Sequence, residues 1–323
     1  MVSFGCGGAE RRFVGLKSLA SSILVRLWFG AASTESDYAE PVHWAEEGNR
    51  TIARTLEQGA PCMITRLGSG EVGVVSYYLR WRLGRGVGLP YPAMLKRTVS
   101  MNAGFFPADD ASLDEFARLY IESIRDVDIM GVCFSRGEQF VVTRYCRHAR
   151  YVELGALLGM LYPSPWSAQL AGKRVLVVHP FAKTIASQYE RHRTQLFADP
   201  LVLPEFELHT LAPPQTIAGN TQGFASWFDA LSDCCERVSR ISYDVALIGA
   251  GAYGLPIAAF VKKQGRQAVH VGGATQLFFG IKGRRWEVES PDDVAPLFNS
   301  SWVRASAEET PEGASQVEGG CYW

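Results

Sequence analysis

Four short segments combine glycines with residues that carry charge or protons, and each follows an apolar run of strand length. Two of them are 66–71, with the sequence RLGSGE, and 179–184, with the sequence HPFAKT. The other two are 249–254, GAGAYG, and 272–276, GGATQ. Glycine-rich turns let backbone N–H groups approach an anion, and cations beside them can neutralise it. The pattern favours binding of a ligand that carries phosphate.

The first segment brings one cation and one carboxylate into the start of a predicted helix. Arg66 ends the strand, and Gly68, Ser69 and Gly70 form the turn. Glu71 then lies in the first helical turn, where a carboxylate either complements the helix dipole or binds a metal ion. Both interpretations of Glu71 stay open on the sequence.

The second segment places a histidine at a strand end and a cation in the next helix. Pro180 suits the first position of a helix, and Lys183 and Thr184 in its first turn are predicted to meet a phosphate. His179 is either a buried structural group or an acid–base residue at the rim of the site. A single histidine at a strand end is more often structural, but the position of His179 at the predicted rim adds support to the second role.

The third segment has the formal spacing G-x-G-x-x-G between a strand and a helix. A dinucleotide fingerprint also needs an acidic residue at the end of the following strand to hold the ribose. That strand reads QAVHVGG over 267–273 and offers no acid. The glycines therefore indicate close approach of a phosphate or sugar, while a nicotinamide-dependent oxidoreductase remains an alternative.

The fourth segment precedes the strongest basic cluster of the chain, Lys282, Arg284 and Arg285, which lies among aromatic residues. Such a cluster can clamp a diphosphate and stack on a ring. A solvated loop with ordinary surface charges is the competing interpretation. Both stay open.

These segments must be positioned by a sheet, and the sequence predicts one. Apolar runs of strand length alternate with amphipathic helical patterns along the chain. The runs cover 62–67, 127–133, 174–180, 206–211, 243–250 and 267–273. The alternation predicts a Rossmann-like α/β fold, a mostly parallel sheet with helices on both faces. In such sheets ligands bind beyond the carboxyl ends of the strands, where the four segments lie.

Composition limits the partners. The chain has 32 Lys plus Arg against 33 Asp plus Glu, so the net charge of -1 argues against nucleic acid as a partner. Seven cysteines without C-x-x-C spacing favour reduced thiols and a cytoplasmic protein.

Three regions are predicted. Residues 1–40 form an amphipathic segment and linker, 41–305 an α/β domain, and 306–323 a flexible tail with an apolar end. Lys17 and Arg26 within the apolar stretch argue against a cleaved signal or a spanning helix. Residues 11–30 either lie on the inner face of a membrane as a peripheral contact or pack on protein. No pattern sets an oligomeric state.

The same motifs resemble bacterial proteins with a GT-D-type glycosyltransferase fold, found among cell-surface polysaccharide biosynthesis genes. The resemblance runs from about Gly59 to Trp286. It includes the R-x-G-x-G-E turn and the segments NAGFFP, GKRVLVVHPF, DVALIGAGAYGLP and GGATQLFFGIKGRRW. It implies transfer of a sugar from a nucleotide-diphosphate donor to a glycan or lipid-linked acceptor, assisted by Mn²⁺ or Mg²⁺. The family's Asp-x-Glu element reads Ser69-Gly70-Glu71 here, so a hydroxyl replaces one carboxylate.

The resemblance and the chemistry of a glycosyl diphosphate together assign roles. Glu71 is predicted as metal ligand and, with His179, as catalytic residue. The predicted donor-binding residues are Arg66, Gly68, Ser69, Gly70, Lys183, Thr184, Gly249, Gly251, Tyr253, Gly254, Gly272, Gly273, Gln276, Lys282 and Arg284. Besides the oxidoreductase, a non-catalytic protein with this fold is an alternative, because Ser69 is a poorer ligand for a hard cation than Asp.

Overall fold

A computed structural model describes residues 33–38, 40–83, 88–288 and 291–323. The predicted amphipathic segment, with its proposed membrane contact through residues 11–30, lies outside the described residues. Within the described part of the chain, no helix has the length and apolar character needed to cross a membrane.

The core of the protein is an eight-stranded parallel sheet, as predicted for an α/β fold. Its strands are β1 (Val42–His43), β2 (Cys62–Arg66), β3 (Ile129–Val132), β4 (Arg150–Glu153), β5 (Arg174–Val178), β6 (Glu207–Leu211), β7 (Val245–Ile248) and β8 (Gln267–His270). Their order is β1-β4-β3-β2-β8-β7-β5-β6. The central strands read as near-continuous Val, Ile and Leu because both of their faces are covered. A separate parallel pair joins β9 (Ile281–Lys282) to β10 (Val303–Arg304).

Helices cover both faces of the sheet. They are α1 (Ala45–Glu57), α2 (Ser69–Tyr77), α3 (Ala93–Ala103), α4 (Asp110–Ile124), α5 (Glu138–Tyr145), α6 (Ala182–Leu196), α7 (Trp227–Ser239), α8 (Gly254–Lys263), α9 (Arg284–Val288) and α10 (Pro291–Val294). One apolar core contains α2, α3, α4, α5, α7 and α8. The other contains α1, α6 and the 3-10 helix Gly272–Phe279.

Side-chain caps fix where two of the predicted helices begin. The Asp109 carboxylate accepts from Ser112 N at 3.0 Å ahead of α4. Ser226 Oγ accepts from Asp229 N at 3.2 Å ahead of α7. These caps satisfy backbone N–H groups that have no partner within the helix. The helix predicted to begin at the first glycine turn divides in two, since α2 ends at Tyr77 and a π-helix continues over Tyr78–Leu83.

The segments that follow the neighbouring central strands β2 and β8 lie on opposite faces of the sheet. After β2 the chain enters α2, whose Val72 belongs to one core. After β8 it enters the 3-10 helix, whose Phe278 belongs to the other. A crevice opens where adjacent parallel strands part in this way, beyond their carboxyl ends. The fold thus provides a ligand site at the centre of that edge.

Candidate functional site

A cavity of about 800 Å³ lies at this edge of the sheet, beyond β2, β5, β7 and β8. Residues from all four of the predicted segments that follow strands line the cavity, although these segments are far apart in the sequence. The predicted site residues that line it are Arg66, Gly68, Ser69, Gly70, Glu71, His179, Gly249, Gly251, Tyr253, Gly272, Gly273 and Gln276. The volume suits a small organic ligand.

The Glu71 carboxylate lies back over the glycine turn that precedes it. A Cβ at position 68 would stand 2.0 Å from Glu71 Oε2 and 2.5 Å from Cδ. Gly68 is therefore needed so that the carboxylate can occupy this place. Burial raises the pKa of Glu71, against a smaller lowering by its own backbone N–H and by Arg66. A carboxylate of raised pKa in a cavity suits acid–base work better than simple capping.

Arg66 lies beside Glu71 and reaches towards the turn after β8. An ideal Cβ on Gly272 would be 3.6 Å from Arg66 Cδ and 3.8 Å from its Nη1. Gly272 has a φ of +75°, which a glycine adopts without strain. The charge of Arg66 also lowers the pKa of Glu71 and of His270, so it acts on both sides of the cavity.

His179 is a buried part of the wall. Only 2% of it is exposed, and its Nδ1 accepts from Phe181 N at 3.0 Å. Nδ1 is thus an acceptor, which assigns the ring proton to Nε2. Burial lowers the pKa of His179 to about 3. An acceptor base needs a lone pair facing the substrate, so this arrangement favours Glu71 over His179 for that role.

A second buried histidine, His270, ends β8 at the same cavity and was not among the predicted site residues. Its Nδ1 lies 2.8 Å from Thr65 Oγ1. A Cβ at Gly254 would stand 2.2 Å from its Nε2, so Gly254 makes room for the ring. Burial, and then the charge of Arg66, lower the pKa of His270 to about 3.

The depressed pKa of His270 predicts acid sensitivity of the fold. Its ordinary pKa is 6.5, so below that pH the unfolded chain binds a proton that the folded chain excludes until about pH 3. Stability is present above pH 6.5 and is lost as the pH falls. Between pH 6.5 and 5 we expect His270 to remove roughly 1.5 kcal/mol of the free energy of unfolding.

Urea unfolding of wild type and His270→Gln at pH 7, 6 and 5 measures this contribution. The exposed His148→Gln serves as the matched control and should keep the wild-type dependence. The same pH slope for His270→Gln and wild type would contradict the assignment.

Tyr253 is held in place by neighbours on both sides. Its OH lies 2.7 Å from Thr216 Oγ1, and its ring stacks on Trp227 at 4.8 Å between centroids with an interplanar angle of 9°. The ring is 3% exposed, so it gives the cavity a rigid wall. Gly251, with φ +53°, forms the open part of the turn before it.

Lys183 and Thr184 do not line this cavity. They lie in the first turn of α6, where carboxylates of the 306–323 segment already bind them. Lys183 Nζ pairs with Glu308 at 2.8 Å, and Lys183 N donates to Glu309 at 2.6 Å. The Thr184 hydroxyl donates to the same Glu309 carboxylate. The helix start does bind an anion, but that anion belongs to the chain itself.

The basic cluster divides between two places. Lys282 Nζ lies 5.3 Å from the ring centroid of Phe298, and Arg284 Nη1 donates to Gly319 O at 2.9 Å. Neither side chain lines the cavity. Arg285 does, and it forms an ion pair with Glu318 there. Arg284 and Arg285 are consecutive residues of helix α9, so their side chains leave the helix in different directions.

The 306–323 segment supplies part of the wall, together with α3 and α4. Val317, Glu318, Tyr322 and Trp323 line the cavity. Gln276 Nε2 lies 3.2 Å from Tyr322 O, among the carbonyls that its amide contacts. The flexibility predicted for this segment stays a prediction. Thr98, Asn102 and Tyr120 also line the cavity. Of these contributions to the cavity wall, the sequence indicated only that of the apolar end of the chain.

The donor set does not fit a resident divalent metal. Within the described ranges, no three His, Cys, Asp or Glu side chains are grouped so that they could hold a metal ion. Glu71 lies over its own turn, and two charged lining residues act on it, Arg66 and then, with a smaller effect, Glu318. Mg²⁺ is usually held by one or two carboxylates together with water and substrate phosphates, so Glu71 and the Ser69 hydroxyl supply too few oxygen ligands for an ion that stays bound without substrate.

No family model matches the chain, and no curated protein gives a significant sequence match. Two solved structures align with 83% of this chain and 92% of their own. One, with 11% identity and a TM-score of 0.42, is described as the selenomethionine-substituted domain of unknown function 1792. The other, with 12% identity and a TM-score of 0.41, is described as showing that this highly conserved domain has a distinct glycosyltransferase fold. Similarity this low says nothing about the activity of this protein.

Proposed function

We propose that the protein is a glycosyltransferase that binds a nucleoside-diphosphate sugar in this cavity and transfers the sugar to a hydroxyl acceptor. The observation that carries the proposal is the set of charges that line the cavity. Two arginines, Arg66 and Arg285, lie in one cavity with the carboxylates of Glu71 and Glu318, and Gly70 and Gly251 of its turns have open space around the ideal Cβ. A diphosphate needs the cations, and an acceptor hydroxyl needs a carboxylate.

In the proposed reaction the acceptor oxygen attacks the anomeric carbon and the bond from that carbon to the diphosphate oxygen breaks. The electron pair of that bond leaves on the diphosphate, where Arg66 and Arg285 stabilise the developing charge. Glu71 takes the proton of the acceptor hydroxyl, a role that its raised pKa favours. The buried rings of His179 and His270 hold the neighbouring turns in place. A glycan or lipid-linked acceptor, and a place in surface-polysaccharide synthesis, belong to the same proposal.

The oxidoreductase alternative loses support at the end of β8. In dinucleotide-binding folds a carboxylate there holds the ribose hydroxyls. Here β8 ends at His270, with Val271 and Gly272 after it. NADH fluorescence provides the direct comparison: tight quenching, with no binding of nucleoside diphosphates, would reverse the order of the two functions.

Calorimetry with UDP, GDP, CMP, dTDP and their sugars tests the proposal. We expect one of these to bind the wild type, and Arg66→Ala to weaken that binding at least tenfold, because a charge-assisted hydrogen bond contributes about 1.5–3 kcal/mol. Arg118→Ala, an exposed arginine on α4 away from the cavity, is the matched control. Binding that Arg66→Ala leaves unchanged would move the ligand elsewhere. Absence of binding across the panel, with and without Mn²⁺ or Mg²⁺, would reject the proposal.

A further inference from the structure

The second cation of the cavity, Arg285, is bound by the 306–323 segment. Its guanidinium pairs with the Glu318 carboxylate, and its Nη1 donates to Tyr322 OH at 2.9 Å. Its backbone N donates to Cys321 O at 2.9 Å. Glu318 itself lines the cavity. An internal carboxylate thus binds the arginine where the proposed diphosphate would lie.

Glu318 is held in an unfavourable backbone conformation. Its φ is +47°, and Gly319 and Gly320 follow at +70° and +76°. The left-handed region is unfavourable for a residue with a Cβ, because the Cβ comes too close to the following carbonyl oxygen. The pairing with Arg285 offsets that cost, so loss of the pair would release the turn.

The residues on either side of this turn are anchored. Val317 is 2% exposed and Cys321 1%, whereas Glu318 and Gly319 are exposed. Gln276 and Arg285 hold the Cys321–Tyr322 backbone from the other side. A rearrangement can therefore be confined to residues 318–320 and leave the rest of the segment bound.

We propose that Arg285 is a diphosphate-binding residue and that Glu318 is its internal surrogate, displaced when a diphosphate or nucleoside diphosphate enters the cavity. This inference rests on the proposed function for the identity of the ligand. A carboxylate and a phosphate both bind a guanidinium through paired oxygens, so they compete for one site. A diphosphate beside an undisplaced Glu318 would also meet a like charge.

Glu318 is not needed to orient Arg285. The Tyr322 hydroxyl accepts a hydrogen bond from the guanidinium. The guanidinium carbon, Arg285 Cζ, also lies over the Tyr322 ring, 4.9 Å from its centroid. The backbone bond to Cys321 holds the residue independently of its side chain. Removal of the Glu318 charge should therefore leave Arg285 in place and available to the ligand.

The test is the affinity of Glu318→Gln for inorganic pyrophosphate and for UDP, measured by calorimetry beside wild type. We expect pyrophosphate to bind roughly three- to fivefold more tightly, the upper part of the range that loss of a partly exposed ion pair allows. Glu312→Gln removes an exposed carboxylate of the same segment that has no hydrogen bond or ion pair among those found in the described residues. It should stay within twofold of wild type. In an Arg285→Ala background the effect of Glu318→Gln should disappear.

The outcomes separate the two ideas. Unchanged or weaker pyrophosphate binding by a folded Glu318→Gln protein would overturn the surrogate role, as would an effect that persists without Arg285. Absence of pyrophosphate binding by both proteins would overturn it as well. Tighter pyrophosphate binding without any preference for UDP, GDP, CDP or dTDP would support the surrogate and reject the nucleotide part of the proposed function.

Discussion

Replacing Glu71 with Gln is expected to reduce turnover of the donor sugar by at least 100-fold, while the affinity for the nucleoside diphosphate changes less than threefold. The amide keeps the size and the position over Gly68, but it cannot accept a proton from an attacking hydroxyl. General-base catalysis contributes about 10²–10⁴-fold, which sets the scale of the loss. Release of nucleoside diphosphate from the donor that binds best, with water as acceptor, provides the measurement.

Gly68→Ala is the complementary variant, because it keeps the carboxylate and moves it. A Cβ at position 68 would overlap the present position of Glu71 Oε2. We expect a loss of turnover in that variant too, with Glu71 still ionisable. If Glu71→Gln instead weakens Mn²⁺-stimulated binding and Gly68→Ala has no effect on turnover, Glu71 is a metal ligand and the base must be sought elsewhere.

The sheet could be predicted because its central strands are buried on both faces. All six predicted strands are present, and each is trimmed at its ends, as Val245–Ile248 is within 243–250. The strands β1 and β4, at one side of the sheet, were missed. The first has two residues, and the second begins with an exposed arginine, so neither forms a long apolar run. Helix α1 was missed as well, because the charged residues Glu46 and Glu47 obscure the helical spacing of the apolar residues Ile52 and Leu56.

The site was predictable where it follows from topology, and less so where it depends on side-chain direction. Any residue that ends a central parallel strand must reach the same edge, which is why 66–71 and 249–254 meet. Whether a cation further along the chain points into the cavity depends on the local backbone conformation. Arg285 enters it and Arg284 does not, although they are neighbours. The contribution of Glu318 required knowledge of a contact between residues 33 positions apart in the sequence.

Gly249→Ala is expected to lower the free energy of unfolding by about 3 kcal/mol, the upper end of the usual cost of overpacking. A Cβ at this position would stand 2.4 Å from His179 Cδ2 and 2.6 Å from Gly272 O. The second contact is with backbone, so no change of rotamer can relieve it. Two strand-end turns would have to move apart. Urea unfolding at pH 7 measures the difference, with Gly70→Ala as the control.

Gly70 has open space around its ideal Cβ and lies in helix α2, so alanine there should stabilise the fold by roughly 0.5–1 kcal/mol. Equal unfolding midpoints for Gly249→Ala and wild type would show that the turns separate without cost. The expected contrast bears on the G-x-G-x-x-G spacing itself. Gly249 admits His179, Gly254 admits His270, and Gly251 adopts a positive φ. Each glycine has a reason within the fold, so the spacing requires no dinucleotide to explain it.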